Sequence, residues 1–91
     1  MAKLVEVRPG LYYDSVKLML ISKAIDELDD VVKASVVMGT KLNKETLMRQ
    51  NMDDEKSRAA TSSDLIISIE AHTETGLEQA VRIMEDQLAR R

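Results

Sequence analysis

The sequence predicts an α+β plait whose three-stranded sheet carries its helices on one face, and three observations predict it. Short β-branched runs and amphipathic stretches alternate in the order β-α-β-short α-β-α. The first helical stretch lies between two strands, as a crossover connection requires. The chain has 91 residues, enough for one domain, 1–91, built as two packed layers. In the split β-α-β, or ferredoxin-like, arrangement the third strand returns antiparallel into the gap between the first two. No fourth strand is legible after the last helix, so the sheet is expected to lack one edge strand.

Lys3 to Arg8 alternates in the manner of a strand, and Pro9-Gly10 punctuates it. Asp14 stands as an N-cap before a helix from Ser15 to about Leu28. Its apolar stripe is read as Val16, Leu20, Ile21, Ala24, Ile25 and Leu28, with Leu18 and Met19 beyond the stripe as a contact surface. Val31 to Met38 forms the second strand. A short helix is expected over about Lys44 to Gln50, followed by an aperiodic polar stretch, Asn51 to Ser63, expected to be a mobile loop. The third strand, Asp64 to Ala71, sends Leu65, Ile67, Ile69 and Ala71 to one face. Thr75-x-x-Glu78 reads as a capping box opening the last helix, whose stripe is Leu77, Ala80, Val81, Met84 and Leu88.

With both helices on one face, the other face is expected to stay open. It would present Leu4, Glu6 and Arg8 beside Val31, Lys33, Ser35 and Val37, and Ile66, Ser68 and Glu70. Val31, Lys33, Val37, Ile66, Ser68 and Glu70 are therefore the candidate interface, for a homo-oligomer or for a neighbouring domain.

Composition narrows the function. Thirteen Lys and Arg against 16 Asp and Glu give a formal charge of −3, which argues against a nucleic-acid or acidic-membrane partner held by charge. Tyr12 and Tyr13 are the only aromatic rings, too few for base-stacking platforms. The chain has no cysteine and one histidine, so disulfides, thiolate nucleophiles and a His-based metal site are out of reach, and no cofactor is expected. Charge interrupts the N-terminal apolar run and no apolar stretch reaches about 18 residues, so neither a signal peptide nor a membrane span is expected, and a cytoplasmic setting fits.

One stretch invites a chemical reading. In S-V-V-M-G-T-K-L-N-K, Ser35 to Lys44, a strand ends at glycine and a helix begins with a hydroxyl, an amide and a lysine. Gly39, Thr40, Asn43 and Lys44 are the ingredients of an anion-binding helix start and equally of an ordinary turn with a cap. A single helix N-terminus contributes only about 0.3–1 kcal/mol to a bound charge, so this corner alone could not hold a nucleotide. His72 has no nucleophile at triad-like placement and reads as a strand-end residue.

The runs G-L-Y-Y-D-S-V-K-L-M-L-I-S-K (Gly10 to Lys23), S-V-V-M-G-T-x-x-N-K (Ser35 to Lys44) and A-T-S-S-D (Ala60 to Asp64) resemble the N-terminal segment of the FdrA proteins. That family comprises relatives of acyl-CoA synthetases with a succinyl-CoA synthetase α-subunit-like architecture, some associated with carbamoyl transfer to oxamate. Ser62 departs from the proline expected in the last run. The resemblance implies a non-catalytic accessory or assembly domain of such a protein, or a free-standing short relative, that docks with a downstream CoA-ligase-like domain or subunit. It brings none of the family's CoA-binding or ligase-like segments. The other reading is an ACT-like regulatory module that binds an anionic metabolite near Gly39 to Lys44.

Overall fold

A computed structural model describes residues 1–90. Its elements are β1 (Ala2–Arg8), α1 (Ser15–Asp26), β2 (Val31–Met38), α2 (Lys41–Arg49), α3 (Glu55–Ala59), β3 (Leu65–Ala71) and α4 (Glu74–Ala89). The sheet order is β1-β3-β2, with β3 antiparallel to both neighbours. This is the predicted α+β plait. No helix among the described residues is long and apolar enough to cross a membrane.

One face of the sheet lies beneath α1 and α4. Leu65, Ile67, Ile69 and Ala71 of β3 are fully buried there, and Leu18, Ile21 and Ile25 of α1 meet Ala80, Met84 and Leu88 of α4 above them. The Asp14 carboxylate accepts from the Val16 and Lys17 amides and fixes where α1 starts. That start turns α1 so that Leu18 points inward while Val16 and Leu20 are 55% and 59% exposed. The expected stripe was thus rotated: Leu18 belongs to the core, and Val16 and Leu20 face outward.

The opposite face, expected to be open, is covered by the chain itself. Leu47 of α2, Met52 and Ala60 form a second apolar cluster on Ile66, with Val7 and Val37 packed around it. Ser68 is buried and donates to the Met52 carbonyl at 2.6 Å. Glu70 lies opposite Lys3 and Lys33 in the register, and those two ammonium groups donate to the Asn51 and Gln50 carbonyls at 2.9 and 3.0 Å. Lysines at a helix C-terminus satisfy carbonyls that have no partner within the helix. They pin the end of α2 to the sheet.

Two further placements correct the expected face. Leu4, Glu6 and Arg8 pair with Ile69, Ile67 and Leu65 and so lie on the α4 side, where Arg8 forms ion pairs with Glu6 and with Glu85 of α4. These acids, Glu6 foremost, raise the Arg8 pKa. Val31 joins the main core because a register irregularity between Val31 and Lys33 turns its side chain over. Of the candidate interface residues, Val31 lies in the main core and Ile66 and Ser68 in the second layer with Val37 packed beside them, while Lys33 stays exposed and Glu70 half-buried.

The polar stretch after α2 also carries structure. Met52 is 1% exposed, and α3 opens with a reciprocal cap between Asp54 and Ser57. Asn51 takes the left-handed conformation, φ 58°, in which a helix end commonly turns away. Helix α4 begins two residues earlier than Thr75 predicts: Thr73 is its N-cap, accepting from the Gly76 amide. The Asp30 carboxylate in turn accepts from the Thr73 amide and hydroxyl, which ties the start of β2 to the start of α4. His72 is exposed, with its amide donating to the Asp30 carbonyl.

Candidate functional site

The corner from Gly39 to Lys44 is built chiefly from backbone contacts. Gly39 is buried, and a Cβ there would stand 2.5 Å from the Thr61 carbonyl oxygen, so glycine is required by close approach of two backbone segments. Its amide donates to the Asp64 carbonyl at 2.9 Å and continues the β2–β3 ladder. Thr40 caps α2 by accepting from the Asn43 amide, and the Asn43 side chain donates back to the Met38 carbonyl at 2.9 Å. These groups close the end of β2 against the start of α2.

Lys44 departs from this group. Its ammonium donates to the Ala60 and Arg58 carbonyls at 2.7 and 3.2 Å, which are carbonyls of the α3 end. A cation at a helix C-terminus gains from the local dipole. The four residues singled out in the sequence thus share a corner, but the lysine serves the α3 terminus and only Thr40 and Asn43 open toward a cavity.

Asp64 is the residue that organises the corner, and the sequence reading passed over it. Its carboxylate accepts from the Thr61 amide at 2.9 Å and from the Gly10 amide at 3.0 Å, while its carbonyl receives the Gly39 amide. These hydrogen bonds, Thr61 first, hold the Asp64 pKa below the ordinary aspartate value. Three segments meet on this one residue, two at its side chain and one at its backbone carbonyl. The signal was the T-x-x-D spacing of Thr61 to Asp64, a pattern in which an aspartate caps a turn.

Beside the corner lies a hollow of about 470 Å³ between α1, the rim of β2 and the start of α2. Leu18, Val36 and Met38 form its apolar base, and Ser15, Ser22, Thr40, Asn43 and Ser62 supply polar atoms. Ser22 has a structural duty as well: its hydroxyl accepts from the Val36 amide at 2.9 Å and lies 2.9 Å from the Leu18 carbonyl. It thereby blocks the outer edge of β2, which would otherwise invite another strand.

These features define a small plait domain with two packed sheet faces and a side hollow. The family model described as "AllF, heavy metal-associated domain" matches residues 1–91, and the chain belongs to that family. It is similar to the uncharacterized protein YahF of Escherichia coli (strain K12), with 34% identity over 80 residues, or 88% of this chain and 16% of YahF. The chain thus spans about one sixth of the length of that curated relative. No solved structure matches it significantly.

The family's description raises the question of a metal, and the donor set does not fit one. Soft heavy-metal sites are built from thiolates and imidazoles. This chain has no cysteine and a single histidine, and that histidine is exposed. Among the described residues no three His, Cys, Asp or Glu side chains gather into a cluster that could hold an ion.

Proposed function

We propose that this domain is a non-catalytic accessory module of an FdrA-type protein, of the acyl-CoA synthetase-like or carbamoyltransferase kind, or a short relative that assembles with one. Its task in this reading is docking. The observation that carries the proposal is that the whole chain matches one domain family while its alignment with YahF occupies only 16% of that protein. Polar groups in the Gly39–Lys44 corner support it, because they serve the fold: Lys44 holds the α3 carbonyls, and Thr40 and Asn43 close a helix start.

The docking surface in this reading is the outward row of α1 and no longer the sheet. Val16 and Leu20, four residues apart, stand on the helix side away from Leu18, Ile21 and Ile25. The occupant is the larger remainder of the YahF-like polypeptide. Calorimetry with the chain added in trans to YahF lacking its own matching segment tests this. Micromolar binding that Leu20→Glu weakens at least about tenfold is expected, a difference of about 1.4 kcal/mol. No binding by the wild type contradicts it.

A further inference from the structure

We infer that the hollow between α1 and α2 is a binding site for a small uncharged planar molecule bearing carbonyl or N–H groups. This goes beyond the docking role and does not depend on it. Its volume of about 470 Å³ lies within the range of small-molecule sites.

The charge of the ligand follows from the walls. No Lys, Arg, Asp, Glu or His side chain lines the hollow. Four lysines stand nearby in sequence: Lys23 and Lys41 do not line the hollow, and Lys17 and Lys44 are committed to backbone carbonyls. Lys17 donates to the Leu88 and Arg90 carbonyls, and Lys44 to those of Arg58 and Ala60. An ion taken from water into these walls would lose its hydration and gain at most about 0.3–1 kcal/mol from each of the α1 and α2 N-termini, with no full counter-charge. A neutral molecule avoids that cost.

The shape follows from the rim. Tyr12 and Met19, which border the opening, are 75% and 62% exposed. A phenol ring and a thioether are good surfaces for a flat ring, through stacking and sulfur–aromatic contact. Inside, Thr40 spends one of its two oxygen lone pairs on the Asn43 amide and keeps its hydroxyl proton to give. Asn43 spends an amide N–H on Met38 and keeps its side-chain carbonyl to accept. A donor and an acceptor are thus offered from the same turn, the pair of groups that a primary amide or a lactam edge complements.

Three probes of the same size separate charge from shape: nicotinamide, nicotinate and 1-methylnicotinamide, which are neutral, anionic and cationic. In amide ¹H–¹⁵N titrations of the 91-residue protein, nicotinamide is expected to shift Ser15, Met19, Ser22, Thr40 and Asn43 and to saturate at about 1–10 mM, the strength usual for so few atoms. The two ions should bind at least about fivefold more weakly. Tyr12→Ala and Met19→Ser, at exposed positions that the core does not use, should each weaken nicotinamide at least about threefold, and Met48→Ser, exposed and away from the hollow, should not. Absence of shifts up to about 20 mM, twice the upper end of the expected range, equal response to all three probes, or indifference to both rim variants overturns the inference.

Discussion

The Lys44 ammonium lies 2.7 Å from the Ala60 carbonyl oxygen, with the Arg58 carbonyl at 3.2 Å. A lysine that reads in the sequence as an anion contact is therefore a clamp between α2 and α3. Lys44→Ala should loosen α3 and the 51–63 segment while leaving the main core intact. Amide exchange in that segment should quicken about tenfold, an opening made about 1.4 kcal/mol easier. Unchanged exchange there would contradict the clamp.

Gly39 tests the backbone junction. Gly39→Ala places a Cβ against the Thr61 carbonyl, which cannot swing aside as a flexible side chain could. A loss of about 1–3 kcal/mol is expected in urea unfolding. Gly10→Ala probes a different cause, since Gly10 has φ 71° with open space around it, and should cost about 1 kcal/mol through backbone strain alone.

Ile66 distinguishes a covered sheet face from an open one. It is fully buried against Leu47 and Met52, so Ile66→Glu buries a carboxylate with no partner. The variant should fail to fold, as judged by loss of cooperative thermal unfolding. A folded, cooperative Ile66→Glu protein would mean that the second face is open after all.

Asp64 gives the domain an acid-sensitive joint. Its pKa is lowered in the folded state by the Thr61 and Gly10 amides, so its contribution to stability is fully present above the unfolded value of about 3.9. That contribution is lost as pH falls through the lower folded value. Asp64→Asn should therefore destabilise the protein at pH 7 and flatten the acid side of its stability profile. Equal acid dependence in both proteins would remove Asp64 from this role.

The donor set predicts behaviour toward metals. In equilibrium dialysis against Zn²⁺ the protein should hold no stoichiometric ion, because it offers no thiolate and one exposed imidazole. Stoichiometric retention of Zn²⁺ would contradict the reading that this donor set does not fit such a metal.

Much of the architecture was legible because strand and helix periods are local. The wholly apolar face of β3 and the crossover order were enough to place three strands and the two long helices. The helix rotation was not legible, since α1 carries apolar residues nearly all round from Val16 to Ile21, and only the Asp14 cap with the sheet beneath it selects Leu18, Ile21 and Ile25. Nor was the covered second face. Met52 is a single apolar residue in a polar run, and what buries it is packing with Leu47, Ala60 and Ile66 and the Ser68 hydroxyl on its carbonyl, all set by residues not adjacent to it in sequence. Of the candidate corner, the glycine turn was legible from spacing, whereas the cap was open between Thr40 and Asn43, and the structure takes Thr40 and starts α2 at Lys41, three residues before the expected Lys44. The direction of Lys44 depended on α3, a helix too short to announce itself.

The central claim is that the domain docks through α1 within a longer protein, and hydrogen exchange on the two contexts tests it most directly. Exchange of the domain in a full-length YahF-like protein is compared with exchange of the isolated chain. Added protection centred on Val16 to Leu20, with β1 and the covered sheet face unchanged, is the predicted result. Identical exchange in the two contexts, or added protection confined to β1, would contradict it.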